Sequence, residues 1–374
     1  MRLLSLTLEQ FRSYASAQVT FAGSGFHVFR GPNGAGKTNI LEAIALLSQG
    51  RSCFDAEEAD IVQWGKEYYR VRATLHTDAE EELQLEVVSQ LQPRKAKACF
   101  IRDVRTPVGA FVGALPTVLF LPQDLDLFTG APARRRDFLA DLLCQVSPEY
   151  LRAHLTYQKI LKQRNALLRK IAEGLGREGD LSVWDRELAR EGALLTVRNL
   201  EMLKVLQCTI AGELSSLGEA WEDVRLVYDR AGEACELKPA EEELLALLQH
   251  YRERDLLVQS TTVGPHRHDW RMEVGGRSLS AFASRGQQRT AVLALLFLEV
   301  SYLELQRGEK PVVLLDDVFS ELDQAHQERL LSTLRDCQVL ITTTHLPAGA
   351  LHPHCLYEVG GGKISEATRK RAHA

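Results

Sequence analysis

The chain has 374 residues, a length that suits two domains. Its hydrophobic content of 45% and formal net charge of −5 are typical of a soluble protein. No stretch approaches the roughly 18–20 uninterrupted apolar residues of a membrane helix. Residues 1–11 alternate apolar with polar side chains, whereas a signal peptide needs a continuous apolar run, so we expect a cytoplasmic protein.

The first third of the chain is predicted to form strands and turns around one helix. Leucines alternate with polar residues over 4–8, a period of two that is typical of a strand. A short apolar run at 26–29 leads into a glycine-rich loop, and 38–49 has the periodicity of a helix. Further strand-like runs follow from 70 to 120.

The middle of the chain has a different pattern. Residues 134–217 are predicted to be mostly helical, followed by a short strand at 224–228 and another helix near 240–250. From residue 256 onward, strand and helix patterns alternate again.

This order predicts a split α/β fold. We expect a mixed-sheet head, residues 1–127 and 255–374, interrupted by a helical arm, residues 128–254.

A phosphate-binding loop is the clearest motif. Residues 31–38 match G-x-x-x-x-G-K-T, in which glycines let backbone N–H groups surround phosphates at the start of a helix. We expect Lys37 to reach the β- and γ-phosphates of ATP and the Thr38 hydroxyl to bind Mg²⁺. The predicted nucleotide-binding residues here are Gly31, Pro32, Asn33, Gly34, Ala35, Gly36, Lys37 and Thr38.

An apolar run at 312–315 ends in Asp316 and Asp317. Continuous apolar residues are typical of a buried parallel strand, and ligands bind at the carboxyl ends of such strands. We expect Asp316 to help hold Mg²⁺ and Asp317 to orient or deprotonate the attacking water.

A second phosphate-binding segment is predicted at Ser284, Gly286 and Gln287, which precede an apolar helical run. Taken alone, the same residues are also typical of an ordinary capped helix start. Farther along, the strand-like run 341–344 ends at His345, which is placed to contact the γ-phosphate as a catalytic residue.

Taken together, these motifs resemble the ABC ATPase set of Walker A, signature, Walker B, D-loop (residues 320–323) and H-loop, in that order. In that superfamily the signature of one subunit completes the ATP site of another. The resemblance therefore implies an ATP-dependent homodimer.

Within that superfamily the chain resembles the RecF family of bacterial DNA replication and repair proteins. The similar segments are residues 8–14, 41–44, 122–125, 130, 134–136, 264–269, 284–289 and 316–323. The resemblance implies nucleotide contact for Arg12 and magnesium contact for Gln123, although the family more often has an acid at Gln123. His268 likewise replaces a frequent Asp. Asp317 stands where most ABC ATPases have glutamate, which suits a slow switch.

The resemblance further implies ATP-dependent binding to single-stranded and gapped DNA and, with RecR and RecO, the loading of RecA. Two segments offer basic residues for DNA. Residues 151–175 have a net charge of +5, from lysines and arginines at 152, 159, 162, 164, 169 and 170 against Glu173. Residues 94–105 have a net charge of +4. Each segment is equally typical of a solvated surface.

Two other classes of protein share part of this pattern. A transporter-type ATPase would have a short insertion and no basic arm. A P-loop kinase would have no use for Ser284 or His345. The motif set favours the DNA-repair ATPase over both.

Overall fold

The computed structural model describes residues 1–54, 56–346 and 353–369. The chain forms two compact units. The first unit comprises Met1–Leu125 and Arg289–Ala374, and the second unit comprises Asp126–Gln288. No helix of the described ranges is long and apolar enough to cross a membrane.

The α/β class predicted from the sequence is confirmed. The helices are α1 Lys37–Gln49, α2 Glu58–Ile61, α3 Val108–Phe111, α4 Pro132–Val146, α5 Pro148–Ala172, α6 Leu181–Ser216, α7 Leu237–His250, α8 Arg252–Val258, α9 Leu279–Phe282, α10 Arg285–Arg307 and α11 Gln324–Thr333. The strands are β1 Arg2–Phe11, β2 Tyr14–Thr20, β3 Gly25–Arg30, β4 Tyr68–His76, β5 Glu82–Gln90, β6 Ala96–Ile101, β7 Val104–Thr106, β8 Thr117–Phe120, β9 Val224–Asp229, β10 Asp269–Val274, β11 Arg277–Ser278, β12 Val312–Asp316, β13 Gln338–Thr343, β14 Cys355–Gly360 and β15 Lys363–Arg369.

Two six-stranded sheets build the first unit. One has the order β2-β1-β4-β5-β6-β7 and is antiparallel, and the other has the order β15-β14-β3-β13-β12-β8. Strands β14, β3, β13, β12 and β8 of the second sheet run parallel. Helix α1 contacts strands of both sheets, which explains why it is buried on nearly every side. Since parallel strands end at one edge, the residues that follow β3, β8, β12 and β13 meet there.

The second unit packs helices α4 to α8 with a three-stranded sheet of order β11-β10-β9. It begins two residues before the predicted arm but continues to Gln288, beyond the predicted end at residue 254. The reason is long-range pairing, because β10 pairs with β9 along its whole length and buried Arg164 binds both Asp255 and Thr261. The functional division into head and arm stays a prediction.

Candidate functional site

The phosphate-binding loop lies between β3 and α1, and close neighbours require its glycines. Gly36 has a φ of 98°, and a Cβ there would lie 2.5 Å from the Ser13 hydroxyl oxygen. A Cβ at Gly31 would lie 2.2 Å from the carbonyl oxygen of Val359. Helix α1 has no side-chain hydrogen bond at its N-cap. Its first-turn N–H groups therefore point at a loop that suits an anion.

Lys37 lies inside this loop. Its Nζ donates to the carbonyl oxygens of Gly31 and Pro32 at 2.9 and 3.0 Å, and the residue is only 7% exposed. The Lys37 ammonium group is thus held inside the phosphate-binding loop, which is the position that a phosphate-binding lysine needs.

Thr38 and Asp316 meet at the strand edge, as the sequence predicts for a magnesium site. The Thr38 hydroxyl lies 2.9 and 3.0 Å from the two carboxylate oxygens of Asp316, and the Thr342 hydroxyl donates to the same carboxylate at 2.5 Å. Hydroxyl and carboxylate oxygens suit Mg²⁺. No cluster of three or more His, Cys, Asp or Glu within the described residues could hold a metal, so phosphate and water would supply the remaining ligands.

Gln123 lies exposed on a 3-10 turn, Pro122–Asp126, just beyond β8. Because β8 pairs with β12, this turn is at the edge that carries Asp316. The neighbouring Asp124 accepts a hydrogen bond from the Leu121 N–H at 2.7 Å. The magnesium contact of Gln123 stays a prediction.

Asp317 follows β12 in a left-handed conformation with a φ of 44°. Its N–H donates to the Thr342 carbonyl oxygen at 3.1 Å. Among the described residues its buried Oδ1 has no hydrogen-bond partner. A buried carboxylate oxygen without a partner is costly, and functional sites retain such atoms for a ligand.

His345 lies two residues past the end of β13 and is exposed. Its N–H contacts the Thr343 hydroxyl at 3.3 Å. This position at the strand edge is compatible with contact to a phosphate. The catalytic roles of Asp317 and His345 stay predictions.

Arg12 joins the end of β1 to helix α1. Its guanidinium donates to Glu42 at 2.8 and 2.6 Å and to the Asp60 carbonyl oxygen at 2.8 Å. The hydrogen bond to Glu42 raises the pKa of Arg12. No sequence motif predicts a role for Glu42, whose carboxylate is only 1% exposed. Its one signal in the sequence is a charge among the apolar residues of α1. Nucleotide contact by Arg12 stays a prediction.

The predicted second phosphate-binding segment forms a capped helix start in the second unit. The Ser284 N–H donates to Gln287 Oε1 at 3.0 Å, and the Gln287 N–H donates to Ser284 Oγ at 3.3 Å. These reciprocal bonds form a capping box. Ser284 and Gly286 are both exposed, and a Cβ at Gly286 would have only Ser284 Oγ nearby, at 3.9 Å. The capped helix start is therefore observed, whereas the phosphate-binding role stays a prediction.

Helix α5 carries the basic segment, and five of its six cations share one surface. At about 100° per residue these five fall within roughly 100° of the helix circumference. We call this surface the basic face; it consists of Arg152, Lys159, Lys162, Arg169 and Lys170, all exposed. None of them forms an ion pair with an acidic residue of the described ranges.

The sixth cation, Arg164, does not lie on this surface, so the prediction that it is available for DNA is wrong. Arg164 is fully buried. It donates to Asp185 at 2.8 Å, to Asp255 at 2.7 Å and to the Thr261 hydroxyl at 2.8 Å. A buried arginine is stable only when such partners compensate its charge. The spacing of residues in the sequence does not reveal those partners.

The second basic segment, residues 94–105, is partly neutralised. Lys97 binds Glu58 at 2.5 Å and Arg102 binds Glu81 at 2.6 Å. The tip residues Arg94 and Lys95 are exposed. These ion pairs make the segment a weaker candidate for nucleic acid than the basic face.

Comparisons with known proteins agree with these motifs. Residues 2–349 match the model of the RecF/RecN/SMC N terminal domain. The chain is 35% identical to the DNA replication and repair protein RecF of Heliobacterium modesticaldum, covering 98% of this chain and 100% of that one. It is 39% identical to RecF of Symbiobacterium thermophilum, covering 92% of each chain.

A solved structure extends the agreement to three dimensions. The recombination mediator protein RecF bound to ATP, described as part of the RecFOR pathway, superimposes with a TM-score of 0.88 at 31% identity, over 98% of both chains. The fold is therefore a RecF/SMC-like ATPase head.

Proposed function

Since the chain belongs to the RecF family, within the RecF/RecN/SMC N-terminal domain family, we propose that it is an ATP-dependent DNA-binding protein of recombinational repair and replication-fork maintenance. It binds single-stranded DNA and gapped junctions as an ATP-induced homodimer. With RecO and RecR it promotes the loading of RecA. Slow hydrolysis of ATP serves as a switch.

The first unit supplies the ATP half of this function. Lys37 and the first-turn N–H groups of α1 bind the phosphates of ATP, while Thr38 and Asp316, already within hydrogen-bond distance, hold Mg²⁺. The bound metal neutralises phosphate charge when present. The unpartnered Oδ1 of Asp317 accepts a proton of the attacking water and orients it. His345 contacts the γ-phosphate.

Ser284, Gly286 and Gln287 of one subunit complete the ATP site of the other subunit. The open space around Gly286 supports this role, because a glycine with no steric need in its own unit leaves room for an incoming phosphate. An ATP molecule held from both sides stabilises the dimer through its differential affinity for the closed state.

The DNA half is supported above all by the basic face. From Arg152 to Lys170 it extends about 27 Å along α5, at 1.5 Å per residue. Flexible cations that lack acidic partners bind phosphate oxygens without reading the bases. A net charge of −5 for the whole chain does not oppose this, because the local field near a patch governs such contacts.

The proposal is tested by binding to duplex, single-stranded and gapped DNA with ATP, with ADP and without nucleotide. We expect the highest affinity with ATP and a steep fall with salt. The triple variant Lys159→Glu, Lys162→Glu, Lys170→Glu should weaken binding at least 10-fold and flatten the salt dependence. A matched variant reverses three exposed cations of the second unit that lie off α5, namely Lys204, Lys238 and Arg254.

The matched variant should bind nearly as the wild type does. If both triple variants lost DNA affinity equally, the effect would come from the overall charge of the protein and not from the basic face. Unchanged binding and salt slope in the α5 variant would remove the basic face from the DNA site and leave Arg94 and Lys95 as the next candidates.

A further inference from the structure

The side of α5 opposite the basic face holds the chain segment that leads to Ser284. We call residues 255–270 the return segment. Arg164 of α5 donates to Asp255 at 2.7 Å and to the Thr261 hydroxyl at 2.8 Å, which ties the beginning of this segment to the helix. All three residues are fully buried, so these bonds are shielded from water.

Tyr157 makes a second connection, two residues before Lys159 and on the opposite side of α5 from the basic face. Its hydroxyl lies 2.6 Å from Nδ1 of His266, and Nε2 of His266 lies 3.1 Å from the Thr261 carbonyl oxygen. A carbonyl only accepts, so Nε2 carries the proton and the Tyr157 hydroxyl donates to Nδ1. Burial lowers the pKa of His266 to about 4, which keeps this neutral arrangement near pH 7.

Two glycines bring the chain close to the same tyrosine. A Cβ at Gly264, whose φ is +121°, would lie 2.6 Å from the Tyr157 hydroxyl, and a Cβ at Gly192 of α6 would lie 3.0 Å from the Tyr157 ring. Such close packing transmits displacement, because a packed interior does not deform smoothly. Tyr157 is therefore packed tightly against the return segment.

The far end of the return segment is attached to α4 at Trp270, 14 residues before Ser284. We call Ser284, Gly286 and Gln287 the Ser284 segment. Arg135 of α4 donates to both carboxylate oxygens of Asp269 at 2.8 and 2.9 Å, and the Trp270 indole donates to the Arg135 carbonyl oxygen at 2.6 Å. The short hairpin of β10 and β11 and the four-residue helix α9 then lead to Ser284.

We propose that Tyr157 and His266 are positioning residues that couple DNA on the basic face of α5 to the Ser284 segment. When DNA binds to the basic face, it changes the position or mobility of α5. The hydrogen bond between Tyr157 and His266 passes this change to the return segment, and from there to the Ser284 segment, which contacts ATP across the dimer. This inference rests on the proposed function. By reciprocity, the same link lets ATP strengthen DNA binding.

The test compares two tyrosine-to-phenylalanine variants on the same helix. Tyr157→Phe removes the bond to His266, whereas Tyr150→Phe removes a buried bond of 2.9 Å to Asn199 of α6 and leaves the return segment attached. Gapped-DNA affinity is measured with and without ATP, a fluorescent ATP analogue is titrated with and without DNA, and thermal melting checks the fold.

Tyr157→Phe should reduce the ATP-induced gain in DNA affinity by about 3- to 10-fold, with nucleotide-free DNA binding and DNA-free ATP binding unchanged. Tyr150→Phe should keep the full gain. His266→Gln, whose amide can accept from Tyr157 and donate to Thr261, should keep most of it.

An undiminished gain in Tyr157→Phe would overturn the inference while leaving the proposed function intact. Equal losses in both phenylalanine variants, or weaker binding of each ligand alone, would also overturn it, because they indicate general loosening. A wild-type protein without any ATP effect on DNA affinity would remove the proposed function, and this inference with it.

Discussion

The two predicted phosphate-binding segments differ in how tightly the rest of the same subunit packs around them. In the P-loop, backbone and side chains of neighbouring strands crowd Gly31 and Gly36, and Lys37 is held inside the loop. The Ser284 segment is exposed, and space remains around Gly286.

This contrast indicates two kinds of site. The P-loop is organised in advance, so it can bind ATP with little rearrangement. The Ser284 segment satisfies its own backbone with a capping box, and the proposed function has it contact a phosphate that is bound by another subunit. Variants of the first should therefore lose nucleotide, whereas variants of the second should lose assembly.

Lys37→Ala should have the largest effect, because it removes the only cation inside the loop. We expect ATP affinity to fall about 100-fold, which is the upper range for hydrogen bonds to charged groups. Titration with a fluorescent ATP analogue and Mg²⁺ measures it, with exposed Lys66→Ala as the control. Wild-type affinity in Lys37→Ala would contradict the assignment of this loop.

Asp317→Asn keeps the shape of the side chain but removes its charge. Turnover should fall about 100-fold, the lower end of the range for losing a general base, while ATP and Mg²⁺ stay bound and the dimer persists. Phosphate release and light scattering measure both properties, beside the exposed-carboxylate control Asp336→Asn. If turnover remained at the wild-type rate, Asp317 would have no catalytic role.

Ser284→Arg tests the other side of the comparison. The added side chain should weaken ATP-driven dimerisation about 10-fold or more, because its bulk blocks the close approach of the second subunit, while the monomer still binds the ATP analogue. Ser280→Arg places the same side chain at an exposed position four residues earlier and should dimerise normally. Light scattering with ATP distinguishes them, and an intact Ser284→Arg dimer would rule out a composite site here.

The last prediction concerns acid and the stability of the second unit. Burial lowers the pKa of His266 to about 4 and that of His268 to about 3, below the ordinary value near 6.5. Protons then bind preferentially to the unfolded chain, so stability is full above pH 6.5 and falls toward pH 4.

We expect this loss to be on the order of 2 kcal/mol for each histidine at pH 5. The groups facing His266 are Tyr157, Arg136, Arg267, Asp255 and the Thr261 carbonyl. Urea unfolding at pH 7 and pH 5 measures the loss, and the double variant His266→Gln, His268→Gln should show less of it. Equal pH dependence in both proteins would assign the acid effect to other groups.

Much of the site was readable because its chemistry is local in sequence. The P-loop needs glycines, a lysine and a threonine in one octapeptide, and the apolar strand before Asp316 shows its burial in its composition. The meeting of Thr38 with Asp316 followed from the rule that parallel strands share one carboxyl edge.

Long-range pairing explains what sequence reasoning missed. Helical spacing places Arg164 on the side of α5 away from the basic face. Only Asp185 and Asp255, which belong to other helices, show that a charged group is buried there. Glu42 of α1 likewise depends on Arg12, which lies in the turn after β1.

The sequence by itself therefore determined the α/β class, the helical middle and the order of the nucleotide motifs, because periodicity and short motifs are properties of neighbouring residues. Only the tertiary structure decided which cations face solvent, where the second unit ends and how Tyr157 meets His266. Those features depend on burial and on partners far apart in the chain, and the free energy of a buried polar group is set by the partner it finds.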